Sequence, residues 1–409
     1  MDKSLSKSII LFFAFLLIFI TIMFIGEHRN ILQVKIDYPD LPKEVYELRM
    51  DSLISWAIGL ILKFLIPLLF LTSKFSYRIS IWAGRKGGLI PSGILYAMVI
   101  FGLVFLLSLP LNYYSSYIIG HKYGLTSQTF IRWLEVNIKG FLVSDFLLAL
   151  FIWIPYYIIY RSPKTWWLQI GISLVPIIIF MVFISPMYID PIFNKYTSIE
   201  NDALGEKIGV LLEKADITDA EIYMVDKSRD TNTMNAYMTG IFDSKRIVLW
   251  DTTINNLEED EVLAITAHEI GHYVEGHIWK NIIFACIANI ILLYLVFISA
   301  NWVLDKSNLR FGFRNLFNYA SLPLLILLIN LYSFLGNPIS NYFSRKMEIE
   351  ADRYEIVLSE DREAAISAME KLYDHSLSLP RQSTLYKVWY NSHPNLEERV
   401  YFYSNYEIE

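Results

Sequence analysis

The stretch Ala267-His268-Glu269-Ile270-Gly271-His272-Tyr273 decides how this chain is read. It has the form H-E-x-x-H. On an α-helix, residues four apart lie about 40° apart around the axis, so His268 and His272 share one face. Two imidazoles so placed can share one Zn²⁺, and Glu269 between them can reach a water on the open side of that metal as general base. The run before it places Glu258, Glu259, Asp260 and Glu261 in a first turn, followed by alanine and aliphatic residues. That pattern predicts a helix, since carboxylates suit the positive end of its dipole. Taken alone, the motif also describes a helix with two solvated histidines. It names two ligands, and a third has to come from elsewhere.

The composition sets the surroundings. Of 409 residues, 54% are hydrophobic and 19% charged. A soluble domain carries about a quarter charged residues, and here the apolar residues come in long blocks. Net charge is −6 with no basic block, which argues against nucleic acid as a partner. The single cysteine, Cys286, excludes an intramolecular disulfide and a cysteine-based zinc site.

Seven stretches are long enough to cross a bilayer, near 8–26, 52–72, 93–118, 140–160, 167–188, 279–303 and 316–340. The first follows Lys3 and Lys7, as a signal peptide would. Its apolar part is too long and no small-x-small cleavage site follows it, so it reads as a retained helix. Trp56, Trp82, Trp133, Trp166, Trp167 and Trp302 lie near span ends, as an interfacial aromatic belt requires. Lys63 falls inside the second span. It either snorkels or faces a wet cavity. The Lys and Arg bias of the short loops favours an external His268 site.

Residues 189–278 form the main polar insert. Leu204, Ile208, Leu211 and Leu212 have helical spacing within 203–215. Residues 220–225, 234–241 and 246–250 read as strands, with a turn at Asp243-Ser244. The expectation is a small antiparallel sheet leading into the zinc helix, with an edge on which an extended peptide can pair. The last span runs without a break into residues 341–353, so its helix is expected to continue from membrane into polar space. One further helix is expected at 363–374.

Several residues compete for the third ligand. His277 gives H-E-x-x-H-x-x-x-x-H, one residue short of the spacing at which a turned chain returns a third histidine to the metal. Within one continuous helix it would point about 140° away from His272. Glu348 and Asp352 are four apart and share a face, whereas Glu350 points the other way. If Glu348 binds zinc, Asp352 can accept the free N–H of a ligating histidine. Arg345 lies on the same flank, and the face could equally be a solvated ladder of salt bridges.

The chain resembles the Ste24 family of integral-membrane zinc metalloproteases, the type I CAAX prenyl proteases of the M48 type. The resemblance is carried by Pro191 to Thr197, Asn235-Ala236-Tyr237 with Gly240, Lys245 to Thr252, the zinc motif, Ser344-Arg345 followed by Glu348-x-x-Ala351-Asp352, and His393-Pro394 with Arg399. It implies a mostly α fold: seven membrane helices enclosing a water-filled chamber, with a small α+β, gluzincin-like zinc metallopeptidase domain. It implies one Zn²⁺ held by His268, His272 and Glu348, with Glu269 as base and with Asp352 and Arg345 behind the ligands. His393 and Arg399 match positions that line the site and steady the oxyanion, and Asn235, Ala236 and Tyr237 match the substrate-pairing strand.

The chain then divides into five membrane helices (1–188), the catalytic insert (189–278), helices six and seven (279–345) and a polar C-terminal part (346–409). The implied substrate is a peptide or protein ending in C-a-a-X, prenylated or not. The implied location is the endoplasmic reticulum membrane in a eukaryote or the inner membrane in a bacterium. The site is reached from the cytosolic side, an orientation preferred to the charge bias because large polar segments weaken that rule. Two other readings are an HtpX-like quality-control protease and a zinc-containing scaffold or transporter. The first would have fewer spans, and the second a closed four-ligand site with no need of Glu269.

Overall fold

The computed structural model describes residues 3–85, 87–241 and 244–407. Among these, seven helices are long and apolar enough to cross a membrane: α1 (Lys3–Asp37), α2 (Lys43–Thr72), α3 (Leu89–Lys122), α4 (Phe130–Arg161), α5 (Trp166–Ile192), α8 (His277–Ser307) and α9, which runs Leu322–Ser359. They follow the apolar runs and overshoot several of them. The 38 residues of α9 rise about 57 Å, against a hydrocarbon core of about 30 Å. Ile283, Ile287 and Ile291, each one turn from the next, are more than half exposed on α8. A stripe of bare aliphatics like this is stable against hydrocarbon rather than water.

The bundle core is built from large buried side chains, among them Tyr96, Tyr156, Trp166 and Phe311. Lys63 faces a cavity of about 540 Å³ that is also lined by Asn112, Asp145 and Asn330. The overshooting ends of α1, α2 and α9 project together on one side, where Glu27 of α1 and Arg345 of α9 both reach the C-terminal segment. The start of α1 therefore lies at the opposite end of the bundle.

On that side the insert forms α6 (Ala203–Lys214), a four-stranded sheet and α7 (Glu259–Val274). The strands are β1 (Tyr196–Ser198), β2 (Glu221–Val225), β3 (Ala236–Thr239) and β4 (Arg246–Trp250), in the order β1-β2-β4-β3. The sheet is mixed, not antiparallel: β2 and β4 run parallel, Ile222 beside Ile247. The tight return after β3 pairs it antiparallel with β4 and leaves it outermost, so β4 enters between β3 and β2 in β2's own direction. Alternation of side chains predicts strands but is blind to this order. Asp243 of the expected turn lies outside the described residues.

One core binds the insert to the C-terminal part. Ile208, Ile247, Leu249, Ala264, Ile270, Ile356 and Ala365 are fully buried in it. After α9 the chain forms α10 (Arg362–His375), α11 (Thr384–Tyr390) and α12 (Leu396–Asn405). The last two were not expected. Asn395 and Glu398 form a capping box that starts α12 directly after His393-Pro394.

Candidate metal centre

Helix α7 is pinned at its start. Glu261 accepts from the backbone N–H of Glu258 at 2.8 Å, from Ser367 at 2.6 Å and from Lys371 at 2.8 Å. Burial pushes its carboxyl up, but these donors outweigh burial and hold it below the usual value. Two turns on, His268 and His272 face α9. The close crossing depends on Gly271, where a Cβ would lie 2.9 Å from Cβ of Tyr354 and 3.2 Å from the carbonyl oxygen of Ala351.

The crossing brings Glu348 to the histidines. Its two carboxylate oxygens lie 3.4 Å from Nε2 of His268 and 3.4 Å from Nε2 of His272. The two Nε2 atoms are 3.1 Å apart. Nδ1 of His268 lies 3.0 Å from Oδ1 of Asp352, which can only accept, so the His268 proton sits on Nδ1. Nδ1 of His272 meets His277 at 2.8 Å. Both Nε2 atoms thus point to one place, where a carboxylate also turns its oxygens. Two imidazoles able to offer Nε2 lone pairs and a carboxylate are the donor set a cation takes, so these residues fit a metal ion, with ligand atoms all within 4.8 Å of one another.

Glu269 is half-buried beside this cluster, and burial raises its carboxyl above the ordinary value against the pull of His268 and His272. His393 stands on the rim: its side chain is 61% exposed, and Nδ1 approaches Glu348 at 2.8 Å.

Two expected positions need correction. Arg399 is buried behind His268, gripping Asp352 through Nε at 3.0 Å and through Nη2, which lies 3.3 Å from Nδ1 of His268. That is the ring edge opposite the metal-facing nitrogen, so Arg399 holds Asp352 rather than lining the open side. Arg345 does not join Glu348 or Asp352 either. Its Nη1 donates to the carbonyls of Lys387 at 3.1 Å and Asn391 at 2.6 Å, at the end of α11. The guanidinium is drawn to carbonyls at a helix C-terminus, the negative end of the helix dipole.

The edge strand is β3, packed by Ala236 and Met238 into the core that includes α7. Trp250 donates its N–H to the carbonyl of Asn235 at 3.1 Å, and Tyr237 faces Val248 in register. The Asn235 carbonyl and the backbone groups of residues 237 and 239 therefore face β4, and Ala236 and Met238 direct theirs along the open edge. The Asn235 side chain covers one of these sites, its Oδ1 accepting from the Ala236 N–H at 2.8 Å.

Sequence reading missed Glu355 and Tyr403, and weighed His277 only as a ligand on a continuous helix. Glu355 follows Glu348 at i+7 and Asp352 at i+3, on the same face, and accepts from the Tyr403 hydroxyl at 2.6 Å. Gly276, one residue before His277, was the signal that α7 ends there: its φ of +67° turns the chain, and His277 opens α8.

Seven membrane helices joined to a His-His-Glu centre on a pinned H-E-x-x-H helix define a class, the integral-membrane metalloendopeptidases. The profile of peptidase family M48 matches residues 198–406, and that of the CAAX prenyl protease N-terminal region, with five membrane helices, matches residues 46–195. An uncharacterized metalloprotease of Bacillus subtilis, YhfN, is 34% identical over 84% of this chain and 80% of its own length. The human CAAX prenyl protease 1 homolog is 29% identical over 72% of this chain and 70% of its own. The crystal structure of Ste24p from S. mikatae superposes with a TM-score of 0.82 at 24% identity, covering 96% of this chain and 98% of that one, which shows the fold. The chain belongs to peptidase family M48, as a membrane-embedded metalloprotease of the Ste24 type. The five-helix N-terminal match does not favour the HtpX-like reading.

Proposed function

We propose that the protein is a zinc endopeptidase that cuts near the C-terminus of C-a-a-X substrates, with His268, His272 and Glu348 holding the ion. The observation that carries this reading is the convergence of two lone-pair nitrogens and a carboxylate beside an open strand edge packed against the same helix. Zinc, when bound, supplies a water of lowered pKa and polarises a carbonyl.

The protein's own groups do the rest. A substrate strand pairs with Ala236 and Met238, displacing the Asn235 side chain from the edge. This pairing lays the scissile bond over the His-His-Glu centre. Glu269 takes the proton of the attacking water and returns it to the leaving amine. His393, exposed on the rim, is free to swing away from Glu348 and donate its ring N–H to the developing oxyanion. Asp352, held by Arg399, keeps His268 in the tautomer that presents Nε2.

The prenylated substrate class is taken from the name of the CAAX prenyl protease relatives. The proposed orientation places the polar side, with the site, in the cytosol, and the proposed route for a bulky substrate is a wet interior chamber, of which the Lys63 cavity would be part.

The test is Glu269→Gln, with metal content and peptide turnover measured together. Retained zinc with cleavage reduced at least about 10³-fold is expected, and turnover near wild type removes Glu269 from the mechanism. Comparing farnesylated with unmodified C-a-a-X peptides tests the substrate class: equal kcat/KM for both would remove the prenyl requirement.

A further inference from the structure

We propose that His277 is a positioning residue for His272, acting through a chain of assigned protons that ends on Glu350. The proposal rests on His272 being a metal ligand.

The geometry follows from the break between α7 and α8. Gly276 adopts a left-handed conformation, with a φ of +67°. Instead of pointing away, the buried His277 folds back against His272, with ring centroids 5.0 Å apart and the two Nδ1 atoms at 2.8 Å. Of two imidazole nitrogens in contact, one must donate and the other accept. His272 turns its Nε2 lone pair toward Glu348 and His268, so its proton is on Nδ1, and His277 Nδ1 is the acceptor. The proton of His277 then resides on Nε2, which donates to Oε2 of Glu350 at 3.0 Å. Lys280 donates to the same oxygen at 2.9 Å and keeps that carboxylate an acceptor.

Each nitrogen in the chain is thereby fixed by its neighbour. The two ligating histidines are held by different chemistry: His268 by a buried carboxylate, His272 by a neutral imidazole whose own tautomer is set from outside. The side chains of Glu275, His277 and Glu350 cluster within 4.8 Å. This cluster is not a second cation site, because the Lys280 ammonium already sits on Glu350 and both His277 nitrogens are engaged. The supporting residues come from two membrane helices, His277 and Lys280 from α8 and Glu350 from α9. The ring plane of His272 is therefore referenced to the packing of the bundle.

The experiment measures Zn²⁺ affinity of the full-length protein by competition with a chromophoric chelator. His277→Phe keeps the ring and removes the nitrogens, and His277→Leu, which also offers His272 no acceptor, serves if the first variant does not fold. Either variant is expected to bind Zn²⁺ about 10–100-fold more weakly, whereas Glu350→Gln, which still offers His277 an acceptor, stays within about 3-fold of wild type. The thermal midpoint of the metal-free protein is expected to be unchanged in His277→Phe, which a merely structural role would lower. His272→Ala is the control and is expected to lose the site. Wild-type affinity in both His277 variants, with His272→Ala inactive in binding, overturns the proposal and leaves the ligand reading intact. Wild-type affinity in His272→Ala overturns both.

Discussion

Gly271 of α7 packs directly onto Ala351 of α9, with no room between them for a side chain: a Cβ on Gly271 would lie 3.2 Å from the Ala351 carbonyl oxygen. This contact sets the separation of the two helices that carry the proposed ligands. It joins local sequence to site geometry, because His272 follows Gly271 by one residue and Glu348 precedes Ala351 by three.

Gly271→Ala must push α9 outward, since the obstructing atoms are backbone and a Cβ rather than a flexible tip. We expect a loss of about 1–3 kcal/mol in stability together with weaker metal retention on dialysis against chelator. An unchanged melting temperature and metal content would show that the helices part without cost.

Arg399 and Asp352 are both buried, and removing the guanidinium strands a carboxylate in the core. Arg399→Gln is expected to cost roughly 3–5 kcal/mol in denaturant unfolding and to weaken metal binding through His268. Were Arg399 instead an oxyanion donor at the open side, kcat alone would fall and stability would stay near wild type.

Helix α11 is held at both ends by the bundle. Buried Glu27 of α1 accepts from the backbone N–H of Ser383 at 2.8 Å and from Nε of Arg49 of α2 at 3.0 Å, while Arg345 of α9 caps the far end. His393 follows two residues after the Asn391 carbonyl that Arg345 binds. Loss of Arg345 should therefore act through His393. If His393→Ala lowers kcat about 10²-fold, Arg345→Met should lower it by a similar order with metal content intact. The double variant should be little worse than His393→Ala alone, and full additivity in that cycle would rule out the link.

The Glu261 carboxyl is held below its ordinary value of 4.5 in the folded protein, Lys371 and Ser367 outweighing burial. A depressed folded pKa gives stability that is fully present above the unfolded value and is lost as pH falls through the folded one. Between pH 7 and pH 3, wild type should therefore lose more stability than Glu261→Gln, with the loss falling below about pH 4.5. Parallel pH profiles of the two proteins would contradict this.

Periodicity and composition are local properties, and what depends on them was legible in residues 1–409. The seven spans follow from runs of apolar residues, α7 from its acidic first turn, and the sharing of one face by Glu348 and Asp352 from their spacing of four. What tertiary structure alone decided are relations between distant segments. Strand direction in β2 and β4 depends on where a chain re-enters a sheet, which no alternation of side chains records. His277 was misplaced because one left-handed glycine replaces a continuous helix with a fold-back. Arg345 was expected behind the ligands and Arg399 at the oxyanion, but a guanidinium reaches the acceptors that packing brings to it, and those acceptors lie some fifty residues away along the chain. Helix spacing orders side chains within a turn or two; the packing of α7 against α9 orders them across eighty residues.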